Sequence, residues 1–209
     1  MVRTDLIKPL PVALRENAAR FPHKVAFEDD QRAVTYADLE ARTRRLAGHL
    51  ADLGVRHGDR VAICLRNTVS TVESYLAIVR AGGVGVPLNP ASALAELEYL
   101  LADSGATVVI TDAAQAGRLP LAPHVTPLVT GEAPVGAHSY DELAESVAAQ
   151  DAHDDLDLDD VAWMFYTSGT TGRPKGVLST QRNCLWSVAS SYVPIPGLTH
   201  QDRVLWPLP

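Results

Sequence analysis

Apolar positions along the chain alternate between short β-rich runs and helical spacings. "KVAFED" (24–29) and "AVTY" (33–36), separated by "DQR", predict a β-hairpin. Thr35 followed three residues later by Asp38 resembles a capping box, opening a helix that buries Leu39, Leu46, Leu50 and Leu53 and stops at Gly54. "RVAICL" (60–65) reads as a buried strand. Asn67 or Thr68 is placed to cap the next helix, where Val69, Val72, Leu76 and Val79 repeat at three and four residues before Gly82-Gly83. "VGVPL" (84–88), a helix carrying Leu94, Leu97 and Leu101, and "ATVVITD" (106–112) continue the series. This order predicts an α/β fold, a β-sheet flanked by helices.

From Ala113 to about Ala137 four prolines restrict regular structure to pieces such as "PLVT". A modest helix is expected from Ser139 to Gln150. "DAHDDLDLDD" (151–160) holds six aspartates in ten residues and reads as a solvated connector rather than a metal site. "VAWMFYT" (161–167) is expected as a buried strand. The final "DRVLWPLP" reads as an apolar strand interrupted at Pro209, so the natural protein is expected to continue.

Composition narrows the class. At 209 residues and 46% hydrophobic content, a packed core is within reach. A net charge of −7 argues against a general nucleic-acid or anionic-membrane surface. The opening "MVRTDLIKPLPVAL" breaks its apolar run at Lys8, Pro9 and Pro11, short of a secretory signal core, and no run reaches the ~18 apolar residues of a membrane span. Cys64 and Cys184 suggest neither a disulfide framework nor a zinc site; the expected compartment is the cytoplasm. The seven histidines show no ligand spacing. The three tryptophans read as core rather than as a ligand platform.

The most informative stretch is "YTSGTTGRPKG" (166–176). It places Gly169, Gly172 and Gly176 among four Ser and Thr residues and two cations. Glycines let backbone N–H groups converge on an anion, hydroxyls add donors, and Arg173 and Lys175 supply charge. Of 18 basic residues only Lys8, Lys24 and Lys175 are lysines. No Asp or Glu occurs between Val161 and Gln201, where Arg173, Lys175 and Arg182 sum to +3. A polyphosphate is the ligand this segregation favours. A Walker A loop is excluded by the missing Gly-Lys-Ser/Thr, a dinucleotide fingerprint by the lone Gly83-x-Gly85, and a serine-hydrolase elbow by the absence of Gly-x-Ser-x-Gly.

These residues resemble the phosphate-binding signature of the adenylate-forming superfamily, which contains acyl-CoA synthetases, adenylation domains of nonribosomal synthetases, and luciferases. "VTYADLEARTRRLAGHLADLGVRHGDRVAICLRN" (34–67) and "AIVRAGGVGVPLNPA" (77–91) resemble two further blocks of that family, in the same order. The resemblance spans roughly Asp5 to Pro209. It implies that residues 1–209 form the N-terminal subdomain, an incomplete part of the large AMP-binding domain. It further implies a two-step reaction: a carboxylate attacks the α-phosphate of ATP, giving an acyl-adenylate and pyrophosphate, and a thiol of CoA or an acyl carrier protein then takes the acyl group. Thr167, Ser168, Gly169, Thr170, Thr171 and Gly172 would donate to the β- and γ-phosphates. Lys175, the implied catalytic residue of this chain, would neutralise charge on the leaving pyrophosphate.

The family's Leu-Phe-His segment, its Tyr-Gly-x-Thr-Glu block for adenine and Mg2+, its ribose-binding aspartate and its lysine-bearing lid domain are not among these 209 residues. The chain alone is therefore expected to be inactive, with ATP and Mg2+ as the implied cofactors of a larger enzyme. The arginine- and alanine-rich opening resembles ligase domains that load polyketide synthases. A non-catalytic nucleotide-binding or interaction module is the alternative of another class.

Overall fold

The computed structural model describes residues 2–153, 155–168 and 172–205. Helix α1 (Leu10–Arg20) precedes a two-stranded antiparallel hairpin, β1 (Val25–Glu28) and β2 (Ala33–Thr35). Helix α2 (Tyr36–Asp52) follows directly. The Thr35 hydroxyl accepts the Asp38 N–H at 3.2 Å and donates to the Asp38 carboxylate at 2.7 Å, so the cap forms where the Thr-x-x-Asp spacing placed it. Leu39, Leu46 and Leu50 are buried; Leu53 lies just past the helix and packs half-buried on the core.

Strands β3 (Arg60–Cys64), β4 (Val84–Pro87) and β5 (Val108–Asp112) alternate with α3 (Val69–Arg80) and α4 (Leu94–Ser104). The chain continues through α5 (Ala113–Ala116), β6 (Thr126–Thr130), β7 (His138–Ser139), α6 (Tyr140–Glu145), β8 (Val161–Thr167), β9 (Lys175–Thr180) and α7 (Gln181–Ser187). Seven strands form one sheet in the order β7-β6-β5-β3-β4-β8-β9, parallel except for the antiparallel β8–β9 pair.

The two-residue strand period divides the core. Val61 and Ile63 face α2, α3 and α6 in a cluster with Leu46, Ile78, Ile110 and Tyr140. Ala62 and Cys64 face the other way, against Leu97, Leu100 and Leu101 of α4. Burial pushes the Cys64 thiol up to about 11, which suits a structural cysteine.

Several local expectations are corrected. Thr68 occupies the cap position of α3 but makes no side-chain cap; Asp29 in the hairpin turn accepts the Val69 N–H instead, at 2.7 Å. In α3, Val72 and Leu76 are only half-buried, while Glu73 and Arg80 are enclosed. Glu73 accepts from Arg32 at 2.6 and 3.1 Å and from Arg42 at 2.8 Å. Arg80 donates to the Glu40 carbonyl at 2.8 Å and to Thr43 Oγ1 at 3.1 Å. Paired in this way, charges can occupy positions on a core-facing helix. Leu94 is exposed at the start of α4.

The helix expected over 139–150 ends at Glu145. Beyond it the backbone is drawn onto α2, where the Ala149 N–H meets Asp52 at 2.9 Å and the Gln150 carbonyl lies against Gly48. A side chain at Gly48 would collide with that carbonyl. Strand β8 is not buried throughout, with Phe165 exposed. Residues 202–205 form no strand, and Trp206–Pro209 lie outside the described residues.

Candidate functional site: the loop between β8 and β9

Because β8 runs parallel to β4, its C-terminal end emerges at the carboxyl edge of the sheet, where ligands of open α/β sheets are bound. There the chain turns back into β9, a strand the sequence reading lacked. Antiparallel register sets Thr167 opposite Lys175 and Tyr166 opposite Gly176, so the chain reverses between Thr167 and Lys175. Gly172 adopts φ +88°, a left-handed conformation that a side chain would strain.

Of the seven expected site residues, Thr167, Ser168, Gly172 and Lys175 are described and exposed around this turn. Gly169, Thr170 and Thr171 lie outside the described residues. Among the described residues, Lys175 has no ion-pair partner within 4 Å. Arg182 does not add to the loop's charge. It holds Asp159 through contacts of 2.6 and 2.9 Å, which keep that carboxyl below the usual carboxylate range. The positive charge of the turn therefore rests on Arg173 and Lys175.

Helix α4 braces the turn from one side, a feature the sequence reading missed. Asp103 accepts from the Tyr166 hydroxyl at 2.7 Å, and the Tyr99 hydroxyl lies 3.3 Å from the same carboxylate. Tyr99 also donates to the Pro174 carbonyl at 3.1 Å, and the Arg173 guanidinium stands 5.7 Å from its ring centre. Burial, then the bond to Asp103, pushes the Tyr166 hydroxyl well above its ordinary value, so it stays a donor. The spacing of Tyr99 and Asp103, one helical turn apart, was the available signal.

Helix α7 is capped by Thr180, paired with Val161 at the opposite end of the hairpin from the turn. Its exposed side presents Arg182, Asn183 and Trp186 around an open cavity of about 420 Å³. Among the described residues no group of three or more His, Cys, Asp or Glu is placed to hold a metal ion.

A mostly parallel sheet flanked by helices, with the strand-to-strand turn at its carboxyl edge, defines an α/β domain. The chain belongs to the AMP-binding enzyme family, whose profile matches residues 14–209. It is similar to the chalcone synthase cfoA of Aspergillus candidus, at 43% identity over 100% of this chain and 8% of that protein. It is also similar to the long-chain-fatty-acid–CoA ligase FadD13 of Mycobacterium tuberculosis, at 36% identity over 94% of this chain and 39% of the ligase. The o-succinylbenzoate coenzyme A synthetase (MenE) of Bacillus subtilis, solved in complex with AMP, superposes with a TM-score of 0.77 at 33% identity. That superposition covers 97% of this chain and 50% of the synthetase. The chain thus spans half or less of the length of each of these relatives.

Proposed function

We propose that residues 1–209 are the N-terminal part of the large AMP-binding domain of an ATP-dependent acid–thiol ligase. One observation carries this reading: the β8–β9 register places Thr167 and Lys175 across a turn at the sheet's carboxyl edge, with Lys175 exposed and no acidic residue in the turn. Thr167, Ser168, Gly169, Thr170, Thr171 and Gly172 donate to the β- and γ-phosphates of ATP, and Lys175 stabilises the departing pyrophosphate. A substrate carboxylate oxygen bonds to the α-phosphorus as the bond from that phosphorus to the bridging oxygen breaks. The acyl-adenylate then passes its acyl group to a thiol, and AMP leaves with the electron pair of the acyl–oxygen bond.

Magnesium, which the family implies, would screen the phosphates. The described residues of this chain offer no ligand set for it, so no step is assigned to it here.

The acceptor is CoA or the phosphopantetheine thiol of a carrier protein. The similarity to the CoA ligase FadD13 supports the first. The similarity to chalcone synthase cfoA, of which the chain matches only 8%, supports a domain that loads a much longer synthase. No described helix is long and apolar enough to cross a membrane. Two free cysteines, one of them buried, fit the cytoplasm as the working compartment.

The test is Lys175→Ala in the full-length protein, read by acid-dependent exchange of pyrophosphate into ATP. Loss of one preorganised stabilising group lowers such steps by about 10²–10³-fold, and that is the expected effect. Unchanged exchange rejects the role given to the turn. A protein with no exchange in any form, with nucleotide still bound, is a non-catalytic module.

A further inference from the structure

Helix α4 is tied to both sides of the turn. Tyr166, the last residue before Thr167 and Ser168, donates to Asp103 at 2.7 Å. On the returning side, Tyr99 donates to the carbonyl of Pro174, the residue before Lys175, while its oxygen lies 3.3 Å from Asp103. The Tyr99 ring carries the Arg173 guanidinium at 5.7 Å from its centre. Tyr99 and Asp103 belong to α4, whose Leu97, Leu100 and Leu101 are locked into the core. The anchor is part of the core, whereas Thr167, Ser168, Gly172 and Lys175 at the turn are exposed.

Resting on the reading of the turn as a pyrophosphate cradle, we infer that Asp103, Tyr99 and Tyr166 are positioning residues that hold the paired Thr167 and Lys175, and the turn they bound, in place against α4. None of the three needs to touch the nucleotide. Their effect is geometric: donors held in place before the ligand arrives bind without first being ordered, and a displacement of about 1 Å weakens such a site substantially. Tyr99 has a second role, since its ring holds Arg173 beside the turn.

Three substitutions in the full-length protein test this. Tyr99→Phe removes only the hydroxyl, keeping the ring beneath Arg173; Tyr166→Phe releases the entering strand; Asp103→Asn weakens the bond accepted from Tyr166. Two readouts are needed. The first is tryptic cleavage after Lys175, since Pro174 protects the bond after Arg173, measured with and without inorganic pyrophosphate. The second is the KM for ATP against the KM for the acid in pyrophosphate exchange.

Cleavage after Lys175 is expected to accelerate in each variant, and more pyrophosphate is needed to suppress it. The KM for ATP rises roughly tenfold, the scale of a lost charge-assisted hydrogen bond, with the acid KM unchanged. Asp103→Glu restores part of the loss. The inference is overturned by an ATP KM within about twofold of the parent value in Tyr99→Phe and Tyr166→Phe. It is also overturned by equal rises in both KM values with a lowered unfolding midpoint, the mark of a merely structural contact. Faster cleavage in these variants alongside normal exchange in Lys175→Ala would keep the brace and reject the cradle.

Discussion

Glu73 provides the sharpest test of what holds the sheet's helical layer together. Its side chain is 0% exposed, and it takes two contacts from Arg32, at 2.6 and 3.1 Å, and one from Arg42 at 2.8 Å. Tyr140, also fully buried, points its hydroxyl at the same carboxylate from 3.4 Å, and burial followed by the Glu73 charge drives the phenol well above its usual range. Glu73→Gln keeps the shape and removes the charge. The amide has one acceptor oxygen, so its NH2 must face a guanidinium, donor against donor.

Removing one partner of a buried ion pair costs about 3–5 kcal/mol, because the remaining charge is left uncompensated. Here the arginine side chains are 32% and 15% exposed, so water partly relieves them, and the lower end, about 3 kcal/mol, is the expected loss. For a protein of this size that lowers Tm by roughly 6–12 °C. Urea denaturation followed by far-UV circular dichroism measures it directly. Asp5→Asn, which breaks a pair whose side chains are 49% and 61% exposed, serves as the control and should leave the midpoint unchanged. A Glu73→Gln loss below about 1 kcal/mol would refute the reasoning, since the network would then behave as a solvated surface cluster.

Gly48→Ala tests the close approach of 148–150 to α2. Helix propensity alone favours alanine by about 1 kcal/mol, but the new methyl meets the Gln150 carbonyl and the Ala148 side chain, so a net loss of about 1 kcal/mol is expected. A variant as stable as the parent in the same urea titration would show that the crossing segment yields freely. Asp29 predicts a pH signature. Partial burial would raise its carboxyl, but N–H bonds from Val69, Arg32 and Gln31 outweigh that and hold it below its ordinary value. Its stabilisation, about 1 kcal/mol for a helix cap, is complete above pH ~4 and fades as pH falls through the lowered value. The difference in urea midpoint between the parent and Asp29→Asn should therefore shrink from pH 7 to pH 3, and a constant difference contradicts the cap.

The elements legible in the sequence were those whose signal is local. Val61 and Ile63 against Ala62 and Cys64 sort themselves by strand period, and the Thr35 cap needs only the residue three positions on. What escaped depends on distant partners. Asp29 caps a helix 40 residues later, and nothing around Thr68 shows that its hydroxyl is left out. Helix periodicity put Val72 and Leu76 forward as core, since a charged Glu73 is buried only if Arg32 and Arg42 arrive from another element. Strand β9 was hidden because Val177 and Leu178 are adjacent, point to opposite faces and are both exposed, so no alternation marks them. At the candidate site the turn's chemistry stood in eleven consecutive residues, but its fixing to α4 spans 63 positions from Asp103 to Tyr166.

The buried side chain of Gln181 has a consequence for how the molecule is made. Its carbonyl oxygen accepts the Leu10 N–H at 2.8 Å, across 171 positions, and its amide reaches the Asp157 carbonyl at 3.1 Å. On a ribosome α1 emerges well before the group that completes its first turn, which is synthesised 171 positions later. Until then water must satisfy that amide, and the helix has no fixed seat beside α7. Leu14 of α1 can pack early on Val34, Leu39 and Val69, but the amino end of the helix is closed only when Gln181 arrives, a late, long-range event in biosynthesis.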